Sequence, residues 1–144
     1  MKAEFKDYLR DLRVSQTVST YIDSKYVQLK ALSGVEEFDD IFISEGMSNN
    51  GNREYINLYF FKGKIMTRAD FKNGELSALV LDKNIRNYVI DRCNFDLTNV
   101  TIETKMNLSV KRYHAEAFII LSASGLNCTH LLRIMKLYLL PNLN

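Results

Sequence analysis

The sequence is short of the residues that cross-link chains or bind metals. Its 144 residues include two cysteines, Cys93 and Cys128, and two histidines, His114 and His130. Two distant cysteines do not make the disulfide framework of a small secreted domain. The paired short spacings of structural zinc ligands are also absent. We therefore predict free thiols, no metal site and no cofactor.

Charge of one sign and long apolar runs are lacking as well. The formal net charge is +2, from 19 basic and 17 acidic residues, which is too balanced to indicate binding to nucleic acid or an anionic membrane. No stretch approaches the roughly 18 apolar residues of a membrane-spanning helix. The start of the chain has no apolar run that would indicate a signal peptide. These absences predict a cytoplasmic protein that does not insert into membranes.

The sequence has few of the residues that break helices and strands. The one proline is Pro141, and the six glycines lie between patterned segments. There is no linker, internal repeat or low-complexity segment. With 47% hydrophobic residues, a single domain over 1–144 can form a core without the help of a disulfide or a metal.

The first third of the chain, 1–34, has the periodicity of amphipathic helices. Apolar residues follow helical spacing over 5–12 and again over 18–32. The pattern slips at Ser15, which has the side chain of a helix cap, and Ser33-Gly34 is a typical helix end. The pattern is compatible with one kinked helix or with two helices.

From Phe38 the apolar period changes to two, which predicts an antiparallel sheet over 36–123. The clearest strands are 54–61, 64–71 and 75–82, joined by two-residue turns at Lys62-Gly63 and Asn73-Gly74. Residues 83–99 are ambiguous, with a short strand around 88–90 as one interpretation. Strands over 100–110 and 115–123 and a helix over 126–140, ended by Pro141, complete the chain.

We therefore predict an α+β fold. An N-terminal helical segment precedes an antiparallel meander of about six or seven strands, and a C-terminal helix closes it. The sheet is expected to be curved or to form a small barrel. This element order is that of a pleckstrin-homology-like barrel, a comparison that rests on order alone because no family motif is present.

The predicted hairpins separate two faces of the sheet. The Lys62-Gly63 turn would pair Phe61 with Lys64 and Tyr59 with Met66. Face one is a core face, made of Ile56, Leu58, Phe60, Ile65, Ala69, Phe71, Leu76, Ala78 and Val80. Face two is mixed, made of Tyr55, Asn57, Tyr59, Phe61, Lys64, Met66, Arg68, Asp70, Leu79 and Leu81.

Face two is too apolar in its middle to face water. The favoured cover is the N-terminal helical segment. The next is a second copy of the chain or another protein, followed by a ligand or nucleic acid.

The sequence has few residues that could form a catalytic site. Cys128 and His130 lie at the start of the last helix, where a helix N-terminus can lower the pKa of a thiol. However, residues two apart on a helix do not face each other, so a buried core cysteine is the favoured interpretation. An enzyme that uses Cys128 and His130 stays open as an alternative.

A second alternative is a module that binds single-stranded nucleic acid or anionic lipid. Tyr59, Phe61, Lys64 and Arg68 on face two could stack and neutralise nucleotides. The basic turn with Lys111, Arg112 and His114 could hold an anion such as a lipid headgroup, although a solvated turn explains it more simply. The near-neutral net charge argues against nucleic acid.

The favoured hypothesis is a non-enzymatic protein-binding or adaptor-type domain that self-associates. Its predicted partner-binding residues are the apolar anchors and their basic rim on face two, because aromatic residues, Met and Arg are enriched at interfaces. They are Tyr59, Phe61, Met66 and Leu81, with Lys64 and Arg68 at the rim. No catalytic residue is predicted.

Overall fold

The computed structural model describes residues 1–47, 51, 53–70, 76–80, 85–91, 104–112 and 119–142. The chain is an α+β protein with N-terminal helices, antiparallel sheets and a C-terminal helix, as the sequence predicts. In chain order the elements are α1 (Ala3–Asp11), α2 (Gln16–Ser33), β1 (Asp40–Met47), β2 (Arg53–Lys62), β3 (Ile65–Asp70), β4 (Leu76–Val80), β5 (Ile85–Asp91), β6 (Lys105–Arg112), β7 (Ile119–Ser124) and α3 (Asn127–Ile134). The last helix continues as a π-helical turn, Met135–Leu139, and a 3₁₀ turn, Leu140–Asn142.

Two helices, rather than one kinked helix, form the N-terminal segment. The chain leaves α1 through Arg13, whose φ of 58° ends the helix. Ser15 then caps α2, because its hydroxyl accepts a hydrogen bond from the Val18 N–H at 3.3 Å. Gly34 ends α2 in the left-handed conformation, with φ of 67°. Both caps predicted from the sequence are confirmed.

The described strands form two sheets instead of one meander. Sheet A has the order β1-β2-β3-β4 and sheet B the order β5-β6-β7, and every pairing is antiparallel. The predicted single curved sheet or closed barrel is not confirmed, since no backbone ladder joins the two sheets among the described residues.

Side chains connect the two sheets at β1 and β7. The Ser44 hydroxyl oxygen accepts a hydrogen bond from the Ser122 N–H at 3.0 Å, and the Ser124 hydroxyl donates to the Glu45 carboxylate at 2.7 Å. The register of β1 against β2 shifts between Ser44 and Glu45, where Ile56 is an extra residue on β2, which is the mark of a bulge in β2.

The predicted hairpin register is wrong, but most of the predicted faces that the structure describes are right. Phe61 pairs with Met66 instead of Lys64, because the tight turn is Gly63-Lys64 and Gly63 takes the positive φ of 53°. Met66 pairs with Leu79 instead of Leu81. Each partner moves by two residues, so side chains such as Phe60 and Met66 stay on their predicted faces. Tyr55, predicted on face two, is an exception, because it packs with the helices on face one and its hydroxyl donates to the Leu12 carbonyl.

The two faces of sheet A have different covers. Helices α1 and α2 pack on face one, where the buried cluster includes Phe5, Ile22, Tyr26, Leu29, Phe38, Leu58, Phe60 and Ala69. Face two packs on sheet B and the C-terminal helix, where the cluster includes Phe42, Tyr59, Phe61, Met66, Met106, Leu108, Leu121, Leu131, Ile134 and Tyr138. The expectation that the N-terminal helices cover face two is therefore wrong. The more apolar face one takes the helices, and face two is buried by elements from the second half of the chain.

The C-terminal helix begins and ends close to the predicted bounds. Its apolar side faces the core, and Leu126 and Leu137 are exposed. In the part of the chain that the structure describes, none of the helices has the length and apolar character needed to cross a bilayer.

Candidate functional site

Polar and titratable side chains from three elements meet at the outer edge of β1, on the side away from β2. We call this group the edge cluster: Tyr8 from α1, Asp40 from β1, Asn127, His130 and Arg133 from α3, and Tyr138 from the π-helical turn. Ile41 and Ile43 are buried in this edge strand, and their backbone groups on this side have no strand partner in the sheet-A ladder. Buried backbone groups need hydrogen-bond partners, so the edge cluster has a structural task.

The backbone of Ile43 is held by a closed circuit of hydrogen bonds. Its N–H donates to the Tyr8 hydroxyl oxygen at 3.0 Å, and that hydroxyl donates to Asn127 Oδ1 at 2.7 Å. Asn127 Nδ2 then donates back to the Ile43 carbonyl oxygen at 3.0 Å. Burial raises the pKa of Tyr8 well above its usual value, so the hydroxyl stays protonated and can serve both partners.

His130 holds the carbonyl of Ile41. Its Nε2 lies 2.5 Å from that oxygen, so the ring carries its proton on Nε2 and donates it. The other nitrogen, Nδ1, accepts from Arg133 Nη2 at 3.3 Å. The ring also stacks on Tyr8, with centroids 4.4 Å apart. Loss of water around the ring is the main cause that lowers the pKa of His130, and the nearby Arg133 lowers it further.

Asp40 is the buried charge of the cluster. Its carboxylate is 4% exposed and accepts two hydrogen bonds from Arg133, at 2.6 and 2.7 Å. It also accepts from the N–H of Ile41 at 3.0 Å and from the Tyr138 hydroxyl at 3.4 Å. Burial raises the pKa of Tyr138 to about 12, and Asp40 adds to this rise. A two-pronged contact of this kind is the strong form of a charge-assisted hydrogen bond.

The hydrogen bonds of the edge cluster hold secondary-structure elements together and leave no group placed for catalysis. Both nitrogens of His130 are directed at protein groups, and Asp40 is neutralised by Arg133. A general base needs a nitrogen that can reach a substrate proton. The edge cluster is therefore best described as a polar junction of α1, β1 and α3.

The sequence pairs Cys128 with His130 as a catalytic alternative, and the structure separates them. Cys128 is fully buried in the core, and its thiol donates to the Thr104 carbonyl at 3.6 Å. His130 lies on the other side of α3, in the edge cluster. Cys93, the other thiol, lies outside the described residues.

Three of the predicted partner-binding residues lie in the core of the chain itself. Tyr59, Phe61 and Met66 are 2%, 0% and 4% exposed, because sheet B and the C-terminal helix cover face two. Burial raises the pKa of Tyr59 to about 12. Lys64 is exposed in the turn and Arg68 is half-buried, while Leu81 lies outside the described residues. The chain itself therefore covers these three side chains of face two, and the rings of Tyr59 and Phe61 are not exposed.

The predicted anion-binding residues are only partly described. Lys111 and Arg112 belong to strand β6, and His114 lies outside the described residues. For metals, the described ranges hold no group of three or more His, Cys, Asp or Glu side chains placed to share an ion.

A cleft of about 340 Å³ lies between the start of α1 and the start of α2. Its charged lining is largely paired within the chain. Lys6 lies 3.8 Å from Asp23, which also accepts from the Met1 amino group at 3.1 Å. Arg10 lies 2.9 Å from Asp7. Three cations line the cleft, the Met1 amino group, Lys6 and Arg10, against one lining carboxylate, Asp23, and the ion pairs with Asp23 and Asp7 offset part of this positive charge.

The outward side of α2 is an exposed surface without charge at its centre. We call it the α2 outer face and define it by Thr20, Ser24, Val27 and Ala31, all of which are exposed. Val27 is 72% exposed. These positions repeat at i, i+4, i+7 and i+11, so they lie along one side of the helix. Asp23 and Lys30, one heptad apart, flank the same side of this face.

Sequence reasoning missed the edge cluster almost entirely. Asn127, His130 and Arg133 repeat every three residues, and this polar stripe opposite an apolar one is the signal that α3 has two buried sides. Nothing local marks Tyr8 or Asp40 as their partners, because those residues are far away in the chain.

Comparisons with protein-family models, with curated proteins and with solved structures find no match to this chain. No family is therefore shown, and the function is argued from the geometry of the chain.

Proposed function

We propose that this chain is a non-enzymatic domain that binds a second copy of itself through the α2 outer face. The observation that carries the proposal is the lack of charge along the centre of an exposed helix face, with opposite charges at its border. Exposed helix faces usually carry charged side chains, whereas the centres of interfaces are depleted of charge and have a polar rim.

Helix geometry makes this face complementary to itself. When two copies of α2 pack antiparallel about a two-fold axis level with Val27, the two Val27 side chains meet at the axis. Positions on equal sides of the axis then exchange partners, so Asp23 of each copy faces Lys30 of the other. The small side chains of Ser24 and Ala31 allow the two helices to approach closely. A self-matched contact of this kind commits the surface to a second copy instead of an unrelated partner.

The charges at the border would share this contact with partners in their own chain, since Asp23 also pairs with the Met1 amino group at 3.1 Å. Lys30 places its Nζ over the Tyr26 ring at 5.1 Å, and Asp23 is exposed beside Lys6. Exposed ion pairs add roughly 0.2–1 kcal/mol each, so they select the orientation more than they supply affinity.

The expected dimer is weak. Helix α2 has 18 residues, which makes it about 27 Å long. One helix pair of this length lies at or below the low end of specific interfaces, which bury about 1,200–2,000 Å². We expect association that depends on concentration in the micromolar to millimolar range.

Sedimentation equilibrium over that concentration range tests the proposal. Val27→Glu places two like charges at the axis and should give a monomer. Leu126→Glu is the matched control, because Leu126 is 78% exposed on another surface and should leave association unchanged. A wild-type monomer at every concentration, or equal effects of the two variants, would overturn the proposal.

A charge exchange tests the orientation separately. Asp23→Lys and Lys30→Asp should each weaken the dimer, because each single variant opposes like charges. The double variant restores opposite charges and should recover most of the association. If the double variant is as weak as either single one, the antiparallel arrangement is wrong, while Val27→Glu still reports on the surface itself.

Support for a non-enzymatic role comes from the chemistry-bearing residues. Cys128 is buried, and both nitrogens of His130 bind protein groups. We also retain two finer hypotheses. The pleckstrin-homology-like comparison stays a hypothesis that rests on element order alone. The cytoplasmic location predicted from the sequence stays a prediction.

A further inference from the structure

His130 lies where three elements meet, and an unperturbed histidine changes its charge close to neutral pH. The groups that face it come from each of those elements. Helix α1 contributes the stacked Tyr8 ring, β1 contributes the Ile41 carbonyl and Asp40 at 3.8 Å, and α3 contributes Arg133. The Phe42 ring lies behind them, with its centroid 6.4 Å from that of His130.

The hydrogen bonds of this site suit a neutral ring. Nε2 donates to the Ile41 carbonyl, and Nδ1 accepts from Arg133. A proton added at Nδ1 removes the acceptor that Arg133 uses and places a cation beside the guanidinium. The burial of His130 removes most of the water that would solvate this charge.

Three groups favour the protonated ring, and together they do not outweigh this cost. The Ile41 carbonyl, which accepts from Nε2, raises the pKa of His130, but it accepts the same hydrogen bond from the neutral ring. The Asp40 carboxylate attracts a cation, but its two oxygens already hold Arg133. The Tyr8 ring stacked on His130 offers a cation–π contact of about 0.5–1 kcal/mol. Arg133 competes for both the carboxylate and the space next to Nδ1.

We propose that His130, Arg133 and Asp40 form a proton-sensitive latch that fastens α3 to the free edge of β1. Protonation of His130 weakens the contact with Arg133 and loosens the Tyr8–Asn127 circuit that the ring stacks against. The hydrogen-bonding groups of Ile41 and Ile43 then open to solvent, while the central strands stay paired. An uncovered strand edge can pair with another extended chain, so the latch controls access to this edge.

Amide hydrogen exchange tests this in the full chain at low concentration, where association through α2 does not contribute. The reporter is the amide of Ile43, and the reference is the amide of Phe60 in the central strand β2. Between about pH 7.5 and about pH 5, the protection of Ile43 relative to Phe60 should fall, by up to about tenfold for each unit of pKa difference between the closed and open states.

Two variants separate the latch from a purely structural role. His130→Gln keeps an amide donor for Ile41 and an acceptor for Arg133 but does not titrate, so the relative protection should no longer depend on pH. His114→Gln removes the other histidine and should leave the pH response intact.

A ring titration of the wild-type protein by NMR needs no variant. His130 should titrate below 6.5, its unperturbed value. The proposal is overturned if His130 titrates at or above 6.5, if the relative protection of Ile43 does not change with pH, or if His130→Gln keeps the wild-type pH response.

Discussion

Replacing Tyr8 by phenylalanine removes one hydroxyl that serves two buried partners. The N–H of Ile43 loses its acceptor at 3.0 Å, and Asn127 Oδ1 loses its donor at 2.7 Å. Both residues are buried, at 0% and 1% exposed, so water does not readily replace the hydroxyl. The aromatic ring and its stacking on His130 remain, and the change isolates the hydrogen bonds.

The size of the loss follows from the two orphaned groups. A buried polar atom left without a partner costs about 1–3 kcal/mol, so two of them predict a loss of about 2–6 kcal/mol in the free energy of unfolding. Domains of this kind are stable by about 5–15 kcal/mol. Tyr8→Phe should therefore remove a large share of the stability while leaving a folded protein.

Urea unfolding followed by circular dichroism measures this loss. Tyr55→Phe is the matched control, because the half-buried Tyr55 hydroxyl donates one hydrogen bond, to the Leu12 carbonyl at 3.0 Å. That change should cost about 0.5–1.5 kcal/mol. If Tyr8→Phe costs no more than Tyr55→Phe at equal denaturant slopes, the hydrogen-bond circuit does not support the edge of β1 as argued here.

Three other predictions concern the core, the thiol and pH. Phe61→Ala should lower the free energy of unfolding in urea by about 3–5 kcal/mol, because the ring is fully buried. Val27→Ala, at an exposed position, should lower it by less than about 0.5 kcal/mol. Similar losses for the two variants would contradict the layer order. In a Cys93→Ser background, Cys128 should react with a thiol reagent far more slowly in the folded protein than in urea, and equal rates would contradict its burial. Burial lowers the pKa of His130 in the folded state, so the folded protein binds fewer protons than the unfolded chain between that lower pKa and 6.5. The free energy of unfolding should rise with pH in this window by up to ~1.4 kcal/mol per unit, and His130→Gln should remove that part of the rise.

The periodicity of apolar residues predicted the local features of the fold, namely the helices and the faces of the strands. The helical spacing of apolar residues, the Ser15 cap and Gly34 predicted the bounds of α2 without reference to any other element. The alternation of side chains predicted the faces of sheet A even though the turn was placed one residue early, except at Tyr55, where the extra residue Ile56 in β2 changes the alternation. A turn displaced in this way moves each partner by two residues, and the face of a side chain depends only on whether its position is odd or even.

The cover of each face depended on distant parts of the chain. Tyr59, Phe61 and Met66 have the composition of an interface, and no local pattern shows that sheet B and the C-terminal helix bury them. An apolar surface that must be covered looks the same in a sequence whether the cover is the same chain or a second one. The sequence therefore predicted an apolar surface that needs a cover, and the structure shows that the same chain covers its three described apolar residues.

The sequence by itself determined the α+β class, the caps of α2 and the division of sheet A into two faces, because each of these depends on spacing within a few residues. Only the tertiary structure decided which layer lies on which face and which polar groups meet at the edge of β1. Asp40 and Arg133 are 93 residues apart in the chain and 2.6 Å apart in the fold. Such a pair follows from the packing of whole elements. Burial and shape complementarity bring those elements together, and no short stretch of sequence contains this information.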